Sequence, residues 1–355
     1  MDLSETMQKK RSPIPAVYLH IPFCRTICPF CSFTVRRDRA KMHEKYIRSM
    51  VDEIDRRTKM LKDMERKENE EKLSGQILLK SIYIGGGTPS CLTIPEVSVL
   101  LTKVHENFPW SDQIEIAFEM NPDDVNPEYL SGLADIGVNR LSLGGQSFQT
   151  STLHKLGRCH TVVDLRNAIA VITSSSFDNW NLDLMFGIPE QSIVMFKNDV
   201  EEALRYEPSH ISLYGLEIHE RTPFGNNPQI RNWESEHLEQ YEEMYLWATD
   251  NLEKAGLFQY EISNFSKKTN EGRQNLLVWS GQEYLGFGVG AHSYHRQTRW
   301  GNVRSIKTYL QHLGQNTWPT EFIEQLSAKQ LAVEFLMLGL RQCEGINIKE
   351  WQTRY

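Results

Sequence analysis

The stretch Ala16-Val-Tyr18-Leu-His20-Ile21-Pro-Phe-Cys24-Arg-Thr-Ile-Cys28-Pro-Phe-Cys31 decides the fold. Its first six residues form a short apolar run of strand length. Three thiols follow at once, spaced by three residues and then by two. So compact a loop lets three thiolates converge on one inorganic centre while a fourth position stays unfilled. Zinc sites usually pair two Cys-x-x-Cys units, or one such unit with two histidines, and this chain offers no second pair. A 4Fe–4S cluster held by three cysteines keeps one iron open to an outside ligand. Cluster ligation, zinc and chance spacing are the readings the triplet allows. Cys91, Cys159 and Cys343 stand alone and read as small buried residues.

Outward from the triplet, short β-branched runs alternate with longer charge-rich stretches. The runs are Ala16–Ile21, Ile77–Ile84, Ile114–Glu119, Val138–Leu143, Asn181–Phe186 and Ile211–Leu216. Helical patterns lie between them at His43–Lys67, Pro95–Asn107, Pro127–Asp135, Val162–Thr173 and Ser192–Tyr206. Strand and helix in alternation predict an α/β fold with a parallel sheet, a partial (β/α)6 TIM-like barrel over residues 16–225. In such a barrel the chemistry sits at the C-terminal ends of the strands. Polar and glycine residues fall there: Cys24 after the first run, Gly85–Pro89 after the second, Glu119 and Asn121 after the third, Gln146 after the fourth. Asp183 lies in the fifth run and Tyr214 near the end of the sixth. Gly85–Thr88 permits close backbone approach to a polar ligand, but no Gly-Lys-Ser/Thr follows and it is not a phosphate loop. Past residue 226 the alternation stops, which predicts a C-terminal accessory region over 226–355 that starts with a long helix, Trp233–Ala255.

Composition bounds the function. The chain has 355 residues, 40% hydrophobic and 24% charged, with a net charge of -7. This balance argues against nucleic-acid binding. No apolar run is long enough to span a bilayer, so no stable membrane insertion is expected. Residues 1–15 form a polar arm without the apolar core of a secretory signal, and a cytoplasmic location follows as an expectation. The mixed-charge run Lys62–Lys72 reads as a solvated helix extension or loop.

The triplet after a first strand resembles the signature of radical S-adenosylmethionine (SAM) proteins. Tyr18-Leu-His20-Ile-Pro22-Phe-Cys24, Gly85-Gly-Gly-Thr88-Pro89-Ser90, Glu119-Met-Asn121-Pro122, Gly145-Gln146-Ser-Phe148, Asn181-Leu-Asp183-Leu-Met-Phe-Gly187 and Tyr214-Gly-Leu-Glu217 are similar to the branch holding the oxygen-independent coproporphyrinogen III oxidases and the HemW haem chaperones. That resemblance implies a 4Fe–4S cluster on Cys24, Cys28 and Cys31, with its open iron chelating SAM. It further implies SAM contacts by Tyr18, Phe30, Gly86, Gly87, Thr88, Glu119, Gln146, Arg158, Asp183 and Glu217. A flavodoxin or ferredoxin-type electron donor would come with such chemistry.

Two features separate the branches. The oxidases continue their triplet with a fourth cysteine where Phe33 stands here, and carry an N-terminal arm longer than residues 1–15. The segments Tyr260–Phe265 and Arg273-Gln274-Asn275-Leu-Leu-Val278-Trp279, running on to Tyr284-Leu285-Gly286-Phe287-Gly288, resemble the haem chaperones. The implied function is to bind haem as cargo and pass it to an acceptor protein, the alternative being coproporphyrinogen decarboxylation in porphyrin biosynthesis. Asn275, Trp279 and His292 are the haem-binding candidates. Gln274 occupies the position of a family histidine, which leaves His292, His295 or another group to ligate iron. Gly286–Ala291 matches Gly-x-Gly-x-x-Ala, but without a strand signal before it or a βαβ unit around it a nicotinamide site is not expected. Ala332–Ile346 resembles the entry to the family's winged-helix-like domain, expected here in curtailed form because the sequence stops at Tyr355.

Overall fold

Strands covered on both faces carry near-continuous apolar runs, and β1 (Ala16–Ile21) is buried at every residue but Tyr18. The computed structural model describes residues 14–67 and 78–355; the N-terminal arm up to Pro13 and much of Lys62–Lys72 lie outside them. After β1 come β2 (Phe23–Cys24), β3 (Arg36–Arg37), α1 (His43–Lys67), β4 (Leu79–Gly86), α2 (Ile94–Asn107) and β5 (Trp110–Met120). Next are α3 (Pro127–Asp135), β6 (Arg140–Gln146), α4 (Thr150–Lys155), α5 (Val162–Thr173), β7 (Trp180–Phe186), α6 (Ile193–Leu204) and β8 (His210–Gly215). The chain goes on through α7 (Trp233–Glu236), α8 (Leu238–Lys254), β9 (Phe258–Glu261), β10 (Asn264–Ser266), α9 (Arg273–Trp279) and β11 (Tyr284–Phe287). It ends with β12 (His292–His295), β13 (Thr298–Asn302), α10 (Ile306–Gly314), β14 (Thr320–Gln325), α11 (Ala328–Gly339) and α12 (Ile348–Arg354).

Strands β1, β4, β5, β6, β7 and β8 pair side by side and in parallel. They are the six runs read from the sequence, with ends shifted by a few residues. Several of the helices between them start where side chains satisfy the free N–H groups: Thr93 and Glu96 form a capping box on α2, Thr161 and Asp164 one on α5, and Ser192 caps α6. The sheet has twelve strands and does not close on itself. It is a partial barrel.

The residues after 226 add strands to both edges of this sheet. β10 and β9 extend it antiparallel beyond β8, while β11 pairs in parallel with β1 and leads on to β12, β13 and β14. The glycine-rich segment therefore does follow a strand, contrary to the expectation above. Tyr284–Phe287 is too short to signal itself, and its partner β1 lies 268 residues away in sequence (284 − 16). The long helix expected over Trp233–Ala255 breaks at His237, whose ring stacks on Trp233 at 3.6 Å.

One buried acid ties the last strands to the first helix. Glu53, fully buried in α1, accepts from the Gly288 N–H (2.9 Å), the Tyr309 hydroxyl (2.7 Å) and the Asn302 amide (2.7 Å). Arg57 stands 3.6 Å from it, with its guanidinium over Trp300 and Trp318 at 5.4 and 4.3 Å. Removing a buried charge that satisfies several donors costs about 3–5 kcal/mol. Glu53→Ala should lower the urea-unfolding free energy by that amount, read as a shifted midpoint against wild type.

Candidate active site

The site is built where β1 and β4 end. Gly87 N–H donates to Ile21 O (2.8 Å) and Thr88 N–H to Phe23 O (2.7 Å), which lays the glycine segment along the thiol segment. A Cβ on Gly87 would stand 2.8 Å from Phe23 O and 2.9 Å from Cys24 Sγ, so only glycine fits. Gly86 has φ +116 and faces the His20 ring. From this seam a polar chain runs across the strand ends. Thr88 Oγ1 donates to Cys24 Sγ (3.6 Å), Asn121 Nδ2 to Thr88 Oγ1 (3.3 Å), and Arg158 Nη2 to Asn121 Oδ1 (2.7 Å) and Gly144 O (3.0 Å). The other arm of Arg158 donates to Cys28 Sγ (3.7 Å). Cys31 N–H closes the turn onto Cys28 O at 3.1 Å.

All three thiols line one cavity of about 430 Å³, within the roughly 300–1,000 Å³ usual for small ligands. Phe30, Gly86, Gly87, Thr88, Glu119, Gln146, Arg158, Asp183 and Glu217 line it too. Nine of the ten residues expected to contact SAM are thus brought together. The tenth, Tyr18, faces a second cavity, where its hydroxyl donates to His20 Nδ1 (3.0 Å) while His20 Nε2–H donates to Thr34 O (2.7 Å). Burial pulls His20 down to about 4, so the ring is neutral. Glu217 lies two residues past the end of β8 with a largely exposed side chain.

The donor set fits the cofactors its pattern implies. Burial pushes the Cys24 thiol up to about 12, and the neighbouring thiols add to the shift; Cys31 is raised likewise. Such thiols need a cationic centre to hold them as thiolates. Zn–S bonds of about 2.3 Å bring thiolates close together, yet among the described residues no three metal-binding side chains are grouped to hold a single ion. A cluster spreads its thiolates over several irons. Arg158 Nε is buried without a partner, and Gln146 is held at φ 69, a costly conformation for a residue with a side chain. Both point to a ligand at this cavity. Glu119 accepts from the Tyr83 hydroxyl (2.7 Å) and Gly86 N–H (3.0 Å). Asp183 accepts from Asn181 (2.7 Å).

The second cavity, about 1210 Å³, shares Cys31, Ser32, Phe33, Tyr83, Gly86, Glu119 and His219 with the first. Asn275 and His292 line it, as does the buried Gln274, whose Oε1 has no partner. Trp279 does not; its ring lies 4.4 Å beneath the Arg341 guanidinium. His295 is buried against Glu283 and also lies outside the lining. Burial, then Arg299 and Arg304, lower His292, which keeps its imidazole neutral. Sequence reading missed Tyr83, His219, Arg221 and Arg304. Arg304 donates to Ser32 O (2.7 Å) and Thr34 Oγ1 (3.1 Å) across some 270 residues, a contact without local signal. The lone cysteines also differ from expectation: Cys159 and Cys343 are exposed on connecting segments, and Cys91, at the end of a short 3-10 turn, is half-buried against the core.

A partial barrel with three thiols at its first strand end defines a class, and sequence comparison bears this out. The radical SAM superfamily model matches residues 18–203. The chain is 34% identical over 341 residues to heme chaperone HemW of Bacillus subtilis, covering 96% of this chain and 86% of that one. The Lactococcus lactis protein of that name is 32% identical, with 96% and 85% covered, and the Escherichia coli one 32% identical, with 79% and 70% covered. The chain belongs to the HemW family of the radical SAM superfamily. Its fold superposes on coproporphyrinogen III oxidase (HemN) of Escherichia coli with TM-score 0.80 at 18% identity, covering 99% of this chain and 81% of that one. No described helix is long and apolar enough to cross a membrane.

Burial raises the Glu119 carboxyl from 4.5 to about 7; Asp183 adds to the shift, and the Tyr83 and Gly86 bonds oppose it. An acid that holds its proton more tightly when folded favours the fold at low pH, and that contribution is lost as pH rises from about 4.5 through 7. Glu119→Gln should therefore flatten the fall in ligand-free stability between pH 5 and 8, by at most about 3 kcal/mol, measured by urea unfolding across that range.

Proposed function

We propose that Cys24, Cys28 and Cys31 ligate a 4Fe–4S cluster, that the smaller cavity takes SAM, and that the larger one takes haem for delivery to an acceptor protein. The observation that carries this reading is that the two cavities share one wall, Cys31–Phe33 with Tyr83, Gly86 and Glu119. When bound, the cluster supplies one electron and an open iron to SAM. Thr88 and Arg158 donate to the sulfurs of Cys24 and Cys28 and stabilise their charge. Glu119, costly to ionise alone, is a ready partner for the cationic groups of SAM, and the exposed backbone at Gly86–Thr88 suits its methionine end. Asp183, held by Asn181, suits the ribose hydroxyls, and Phe30, among Leu156, Met185, Leu216 and Phe224, suits the adenine.

The larger cavity exceeds the usual small-molecule pocket and suits a macrocycle. Its neutral His292 imidazole serves as the iron ligand and Asn275 as a polar neighbour. Arg221 and Arg304 suit the haem propionates. Trp279 contributes by holding Arg341 rather than by touching cargo. Phe33, exposed at the wall of both cavities where the oxidases keep a fourth cysteine, supports haem handling over decarboxylation.

Anaerobic reconstitution of Cys28→Ala should abolish iron and sulfide incorporation; wild-type iron content in that variant would contradict the cluster assignment. Haem titration should give a Soret shift that weakens about tenfold or more in His292→Ala, the loss of one good ligand bond, and tightens in Gln274→His. The reduced protein with SAM and coproporphyrinogen III should form no protoporphyrinogen; its formation would overturn the chaperone reading.

A further inference from the structure

We propose that the basic segment Arg36–Lys45, whose first two residues pair with the first thiol strand, is the docking surface for an acidic one-electron carrier protein of the ferredoxin type. The proposal rests on the reading that Cys24, Cys28 and Cys31 hold a cluster. β3 pairs in parallel with β2, Arg36 opposite Phe23 and Arg37 opposite Cys24. Arg36 N–H donates to Pro22 O (2.6 Å) and Asp38 N–H to Cys24 O (2.8 Å). Paired strands lie about 4.8 Å apart, so a protein seated on the Arg37 strand is one strand from the first cluster ligand.

The charge of this strip runs against that of the molecule. Between Arg36 and Lys45 stand five basic residues (Arg36, Arg37, Arg39, Lys41, Lys45) and two acids (Asp38, Glu44), in a chain of net charge -7. Both acids are occupied, Asp38 by His43 and Glu44 by Arg48, each at 2.7 Å. Among the described residues no side chain of Arg36, Arg37, Arg39 or Lys41 forms an ion pair or hydrogen bond with another, and Arg37, Arg39 and Lys41 are exposed. Unpaired cations in a row cost self-repulsion and stabilise nothing in the fold; they steer an anionic partner. Ile27 and Phe33, on the loop that carries the thiols, are 47% and 69% exposed and supply the apolar element that interfaces place beside a charged rim. The segment's position against Cys24 selects a redox partner. The carrier's iron centre loses one electron and the cluster gains it; no bond or proton changes place.

The test uses the full chain, reconstituted anaerobically and assayed for iron. A reduced plant-type ferredoxin is mixed with it by stopped flow, and bleaching of the cluster is followed in wild type and in the triple variant Arg37→Glu, Arg39→Glu, Lys41→Glu. The wild-type rate should fall about tenfold or more as salt rises from about 0.05 to 0.5 M, and the variant should be about tenfold or more slower at low salt. Dithionite, a small anion that needs no docking, should bleach both at one rate at about 0.5 M salt, where its own charge is screened. Equal ferredoxin rates at low salt, or a wild-type rate indifferent to salt, would overturn the docking surface while leaving the cluster in place. A wild type without iron would instead remove the cluster reading, and this proposal with it.

Discussion

The site depends on one close approach, that of Gly87 and Thr88 to Phe23 and Cys24. Two backbone hydrogen bonds of 2.8 and 2.7 Å hold the end of β4 against the thiol segment, at a distance that leaves no room for a Cβ. Thr88 then reaches Cys24, Asn121 reaches Thr88, and Arg158 reaches both Asn121 and Cys28. The ends of β2, β4 and β5 are thereby bound into one polar chain whose two termini are thiols. A larger residue at 87 would push apart the two strands on which every later contact is referenced.

The parallel sheet supplies the rigidity this seam needs, and the late strands supply the rest. β11 doubles β1 on its free side, so the strand that leads into the triplet is paired on both edges. Glu53 then joins α1 to Gly288, Asn302 and Tyr309, which fixes the wall that carries His292 and Arg304. The larger cavity is therefore bounded by segments from both ends of the chain. Arg304, bonded to Ser32 O, makes the thiol loop and the cavity wall parts of one body.

Much of this was legible in the sequence because buried parallel strands announce themselves as short apolar runs and helices by their caps. The six parallel strands and the cysteine loop needed no tertiary information. Motif order also foretold which residues would line the smaller cavity, since strand ends converge by geometry once the sheet is parallel. β11 was not legible: a four-residue strand whose signal is broken by Gly286 is recognised only by its pairing with β1. Nor could sequence place Trp279, whose aromatic ring serves Arg341, or reveal Arg304, whose partners lie near the other end of the chain. Such contacts follow from packing, which local patterns do not encode.

Membership in the HemW family and the shared wall between the cavities make one picture, in which the pocket proposed for SAM adjoins the pocket proposed for haem. Its central claim is that three thiols, and no fourth protein ligand, hold the cluster, so that one iron is left for SAM. Electron–nuclear double resonance on the reduced, reconstituted protein, with SAM isotopically labelled at its amino nitrogen, tests this most directly. The account predicts a hyperfine coupling between the labelled nitrogen and the cluster. A cluster signal without that coupling would contradict it.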